Sequence, residues 1–108
     1  MGASLGGLIS AYVGLSRPHL VSRVGGQSSA FHLEEAKIGT LVTSLKSRSE
    51  FYFDVGKYEP RYLPAHRRIT GLLSASGCRC FFQELPGGHN WTSWRTHLRD
   101  LLLSLWYV

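Results

Sequence analysis

Three short apolar runs, Leu20 to Gly26, Phe51 to Val55 and Cys80 to Leu85, read as strands, and each gap of about 25 residues between them carries a helical pattern. Strands alternating with helices cannot pair as tight hairpins; they run parallel, joined by crossovers. Leu5, Leu8, Ile9, Tyr12 and Leu15 share one helical stripe that Arg17-Pro18 ends. A second helix is predicted over Leu33 to Leu45, with Glu34 and Glu35 in its first turn and Lys46 and Arg48 at its end, as the helix dipole favours. A third covers His66 to Ser76 and stops at Gly77. The fourth runs from about Trp91 to Trp106, with Trp94, Leu98, Leu101, Leu102 and Leu105 on its apolar face. The expected fold is α/β, a parallel sheet of about three strands with flanking helices. Open parallel sheets bind ligands at the carboxyl ends of their strands, which selects the loops at residues 2–6, 26–31, 56–60 and 86–91.

The chain's 108 residues allow one such unit and not two. With 44% hydrophobic and 18% charged residues, disordered and fibrous classes are excluded. No apolar stretch reaches the roughly 18 residues of a membrane span, and Met1-Gly2-Ala3-Ser4 lacks the charge and apolar core of a secretion signal, so a cytoplasmic protein is expected. Cys78 and Cys80 lie too close in sequence to bridge along a strand and are expected to be free thiols. The 12 Lys+Arg against 7 Asp+Glu give +5, but the basic residues are scattered, with no run longer than Arg67-Arg68. That pattern argues for a mildly basic surface and against a nucleic-acid interface. No HxH, HExxH or CxxC spacing occurs, so neither metal nor cofactor is expected.

Gly2-Ala3-Ser4-Leu5-Gly6 has the G-x-S-x-G form of a nucleophile elbow, in which small flanking residues let a strand turn sharply into a helix and expose a serine hydroxyl. The following helix starts where an elbow requires, and the Leu5 amide at its N-terminus can face negative charge on a substrate oxygen. A serine nucleophile needs a base, and the base an orienting acid. Glu59 follows Gly56 after the aromatic strand, and His89 follows Gly87-Gly88 after the next, both in the selected loops. Asp54 is the alternative acid, although its place inside a strand suits a buried, hydrogen-bonded carboxyl better. Ser4 as a simple helix cap and His89 as a surface residue are the plainer alternatives.

Trp91, Trp94 and Arg95 can supply an aromatic wall and a cation to an aromatic, acidic substrate, or helix packing and a surface ion pair. Ser28 stands with them as a substrate-binding candidate. Of the other histidines, His66 and His97 are expected to be solvated, and His32 lies in the loop after the first predicted strand. Asn90-Trp91-Thr92 matches a glycosylation sequon, discounted beside His89 and without a secretion signal.

Gly2-Ala3-Ser4-Leu5-Gly6-Gly7-Leu8, Gln27-Ser28-Ser29-Ala30-Phe31, the stretch Tyr52 to Glu59 and Pro86-Gly87-Gly88-His89-Asn90-Trp91-Thr92-Ser93-Trp94-Arg95 together resemble the enterochelin esterase group of α/β-hydrolases. The resemblance covers essentially the whole chain, and the segment from Gly87 to Arg95 is its most specific part. It implies Ser4 as nucleophile, His89 as general base, Glu59 as acid and the Leu5 amide as an oxyanion donor. It also implies hydrolysis of ester bonds, in this group those of a catecholate siderophore trilactone, with release of iron in the cytoplasm. The family's catalytic domain has strands before the elbow, so residues 1–108 are expected to be its C-terminal half, starting at the elbow and impaired as an enzyme. An exposed sheet edge is then expected to favour self-association. A feruloyl or acetyl sugar ester is the alternative substrate, and a non-catalytic remnant or interaction module the alternative class.

Overall fold

A computed structural model describes residues 1–106. Four strands, β1 (Gly2–Ala3), β2 (Arg23–Gln27), β3 (Glu50–Gly56) and β4 (Arg79–Leu85), form one parallel sheet in the order β1-β2-β3-β4. Helices α1 (Leu5–Ser16), α2 (Glu35–Ser44) and α3 (Leu63–Ala75) cross between consecutive strands, and α4 (Trp91–Trp106) follows the last. The sheet therefore has four strands where the sequence suggested about three. The extra strand is only two residues long and has no periodicity of its own; pairing of Gly2 with Gly26 and Ala3 with Gln27 makes it a strand.

Because each crossover steps to the next strand in the same direction and its hand is fixed, α1, α2 and α3 lie on one face. There Ala11, Leu15, Ile38, Val42, Ala65, Ile69 and Leu73 enclose Val24, Phe51 and Phe53, all buried. The alternation along β3 sends Tyr52 to the other face, where Leu101 and Leu105 of α4 cover it. A continuous apolar strand such as Phe51-Tyr52-Phe53 is what a sheet covered on both faces requires.

Three boundaries moved from their expected places. β2 starts at Arg23, since Leu20 lies in a turn and is exposed, so the apolar run alone misled. A short 3₁₀ turn, Phe31–Leu33, precedes α2, and α3 begins at Leu63 with Pro64 in its first turn, where a missing amide costs nothing. His66 is fully buried, contrary to the expectation of a solvated side chain. It lies one turn before Ile69 and two before Leu73, on the face of α3 that packs on the sheet. His97 is half-buried rather than solvated, with Nδ1 3.8 Å from Asp100. Among the described residues no helix is long and apolar enough to cross a membrane, no cluster of ligating side chains could hold a metal, and Cys78 and Cys80 are free. Burial pushes the Cys80 thiol up to about 12, so it is an inert packing group.

Candidate active site

The loops after β1, β2, β3 and β4 meet at the carboxyl edge of the sheet. Ser4, between β1 and α1, has φ 56° and ψ −119°, a conformation costing a residue with a Cβ on the order of 1–3 kcal/mol. Backbone hydrogen bonds hold it there. Its amide donates to the Gln27 carbonyl at 2.9 Å, and its carbonyl accepts from the amides of Gly7, Leu8 and Ala30. The Leu5 amide, at the start of α1, has no acceptor among the described residues.

The turn closes because Gly2 and Gly6 nearly touch: a Cβ on Gly2 would lie 2.5 Å from the Gly6 carbonyl carbon. Gly6 itself faces open space. Crowding therefore explains the first glycine of the elbow and not the second, a correction to the expectation for both. Gly2→Ala should destabilise the fold by about 1–3 kcal/mol, while Gly6→Ala, inside a helix, should be neutral or gain up to about 1 kcal/mol. Urea unfolding measures both, and equal losses at the two sites would contradict the geometry.

Ser4 and His89 follow strands three spacings apart, about 14 Å, yet their side chains meet. Residues 86–90 lean back over the sheet edge, where the Tyr58 amide donates to the Gly87 carbonyl at 3.1 Å and the Lys57 amide to the Leu85 carbonyl at 2.7 Å. Gly56 leaves the room for this, because a Cβ there would strike the Gly87 carbonyl. His89 Nε2 consequently lies 2.9 Å from Ser4 Oγ, and Nδ1 lies 2.7 Å from Glu59 Oε1. A carboxylate only accepts, so Nδ1 carries the ring proton and Nε2 presents its lone pair to the serine hydroxyl. Tyr62 stacks on the imidazole at 4.3 Å and 20°, and Trp94 meets it edge-on at 4.9 Å.

The Glu59 side chain is only 1% exposed. Its second oxygen accepts the Gly56 amide at 2.6 Å and the Ser28 hydroxyl at 2.7 Å. Asp54, the alternative acid, instead accepts the Tyr52 hydroxyl at 2.8 Å and has no bond to His89. Burial pushes the Asp54 carboxyl up to about 6, against the lowering effect of that hydrogen bond, and raises the Tyr52 phenol as well.

A cleft of about 720 Å³ lies beside Ser4, lined in part by Leu5, Gln27, Trp91, Trp94, Arg95 and Leu98. Trp91 is 77% exposed at its mouth, packed edge-on at 5.0 Å against the buried Trp94. Ser28 does not reach this wall. It is buried, its hydroxyl donates to Glu59, and that hydroxyl accepts the Trp94 indole N–H at 2.9 Å. The structure thus places Ser28, a substrate-binding candidate from the sequence, beside Glu59 rather than in the cleft wall.

His66 and Tyr62 were not singled out for the site from sequence. The His66 Nδ1–H donates to the Tyr62 carbonyl at 2.9 Å, and Nε2 accepts the Ser29 amide at 3.2 Å. This neutral ring ties the residue that stacks on His89 to the loop that fixes Ser4. Burial holds the His66 pKa down at about 4. Its signal was present in the sequence as the i, i+3, i+7 spacing with Ile69 and Leu73.

No protein-family model matches the chain. It is 28% identical over 114 residues to the iron(III) enterobactin esterase of Escherichia coli K12, an alignment covering 97% of this chain and 28% of that one. The ferric enterobactin esterase of Salmonella typhimurium matches in structure with TM-score 0.83 at 28% identity, covering 97% of this chain and 29% of that one. The enterobactin esterase of Shigella flexneri, solved in the presence of enterobactin, matches with TM-score 0.85 at 25% identity and the same coverage. The chain thus spans under a third of the length of these relatives. Over nearly its whole length it is a homologue of the iron(III) enterobactin esterases, with an α/β fold of the esterase and hydrolase kind.

Proposed function

We propose that this chain carries the nucleophile, base and acid of a serine esterase acting on a catecholate siderophore ester of the enterobactin type. The observation that carries the reading is the unbroken relay from Ser4 Oγ through His89 to a buried Glu59, at 2.9 and 2.7 Å. In this reading residues 1–108 are part of a larger hydrolase domain, supported by the share of the relatives that the chain spans.

Ser4 Oγ attacks the ester carbonyl carbon as His89 Nε2 takes the hydroxyl proton, and Glu59 stabilises the imidazolium through Nδ1–H. The Leu5 amide donates to the developing oxyanion; losing one such donor typically costs about 10²- to 10³-fold. Collapse of the tetrahedral intermediate breaks the ester C–O bond, and the imidazolium protonates the leaving alkoxide. Water, deprotonated by His89, then attacks the acyl-serine, and the returning proton restores the Ser4 hydroxyl. Trp91, Trp94 and Arg95 support binding of a substrate with aromatic rings and anionic oxygens, because they bring ring surface and a cation to one cleft. The iron belongs to the substrate. In this reading its release follows ester hydrolysis in the cytoplasm.

The test is incubation of the purified chain with a fluorophosphonate and, separately, with a catecholate trilactone. A single covalent adduct at Ser4 and ring-opened product are expected. A chain shown folded by circular dichroism that takes no label would remove the reading; labelling with turnover only of feruloyl or acetyl sugar esters would replace the substrate. Self-association has its own support: the outer edge of β1 is unpaired among the described residues, and Met1, Leu5 and Ile9 are exposed next to it. Sedimentation of a concentration series should show a rising mass.

A further inference from the structure

We infer that Ser28 and Trp94 form a one-way hydrogen-bond relay, indole N–H to Ser28 hydroxyl to Glu59, that positions the acid against His89. The inference rests on the esterase reading for its catalytic meaning, and on geometry for its existence. Both ends of the relay are chemically fixed. An indole N–H only donates and a carboxylate only accepts, so a hydroxyl placed 2.9 Å from one and 2.7 Å from the other has a single available orientation. The Ser28 proton must point at Glu59 Oε2. With the Gly56 amide at 2.6 Å on the same oxygen, Glu59 is left with Oε1 aimed at His89 Nδ1.

The backbone of Ser28 carries the second observation. Its φ is 48°, in the left-handed region that favours glycine. The Ser28 amide is held at 2.8 Å on the Asp54 carbonyl, so the strained residue is anchored to β3, the strand that leads into the Glu59 loop. A serine kept where glycine fits better keeps its hydroxyl at a conformational cost, and that hydroxyl touches only the acid and the indole. Trp94 adds a link from α4, because its ring also meets the His89 imidazole.

Ser28→Gly separates positioning from structure. It removes the hydroxyl and relieves the backbone, and because that relief offsets the loss of the two buried hydrogen bonds the thermal midpoint should change little. Fluorophosphonate labelling of Ser4 should slow about ten- to hundredfold, the range for losing a hydrogen bond to a charged group. Trp94→Phe keeps an aromatic six-membered ring and removes the N–H; labelling should slow less, about three- to tenfold. Because the relay is linear, the double variant should label no more slowly than Ser28→Gly alone. In proton NMR, the His89 Nδ1–H resonance of Ser28→Gly should move from its wild-type position, with Trp94→Phe shifting it the same way by less. Unchanged labelling and resonance in Ser28→Gly, or losses that multiply in the double variant, would overturn the relay. Should the wild-type chain take no label, the esterase reading fails and the resonances alone decide the relay.

Discussion

Ser4→Gly is expected to abolish fluorophosphonate labelling and, in the same protein, to raise the thermal midpoint. The two effects have separate origins. Removing the nucleophile of a serine relay costs on the order of 10⁶-fold in turnover in a well-studied protease, so no adduct should form on the folded chain. Stability moves the other way because Ser4 is held at φ 56°, where a Cβ is unfavourable, and its side chain bonds only His89. Relief of about 1–3 kcal/mol exceeds the roughly 0.5–1 kcal/mol that glycine costs through the unfolded chain. For a chain of this size a net gain near 1 kcal/mol corresponds to about 4–8 °C. Differential scanning calorimetry beside intact-mass analysis measures both quantities. A midpoint lowered by the substitution would mean that the elbow stores no strain.

The second large effect is in the pH dependence of stability, where two buried groups oppose one another. Asp54, facing Tyr52, Gln27, His97 and Glu59, titrates at about 6 in the fold against an ordinary 3.8. Between those values the folded state holds the extra proton, so this group makes stability fall as pH rises. His66, facing the Tyr62 carbonyl, the Ser29 amide, Glu59 and His32, titrates at about 4 against an ordinary 6.5. There the unfolded state holds the extra proton, and stability rises with pH. From about pH 4 to 6 the two slopes, each up to about 1.4 kcal/mol per pH unit, nearly cancel. Asp54→Asn should uncover the histidine slope, leaving the protein weaker at pH 4 than at pH 6. His66→Gln should uncover the opposite slope. Urea unfolding at pH 4, 5 and 6 checks the signs, and variants that keep the wild-type pH dependence would disprove the compensation.

The meeting of Ser4, Glu59 and His89 was legible because a parallel sheet with sequential crossovers sends its carboxyl-end loops to one edge, whatever the details of each strand. The aromatic run at 51–53 and the apolar stripe of the last helix were legible for the same kind of reason: their periods are set by the faces they bury. β1 was not, since two residues carry no period and only the neighbouring strand makes them one. The bond between Ser28 and Trp94 was not legible, because the two lie 66 positions apart on different elements. His66 was discounted because it heads the predicted third helix, while its spacing with Ile69 and Leu73 placed it inside.

The strand order also has a consequence for assembly. β1 to β4 lie side by side in chain order, so these four strands can be added to the sheet one at a time. Ser4 follows β1, whereas His89 arrives 85 residues later, after β4. A nascent or partly docked chain therefore displays the Ser4 hydroxyl with no imidazole beside it. In the proposed esterase, Ser4 gains its base only once residues 86–90 have closed over the edge, so covalent labelling of Ser4 would gauge completed folding.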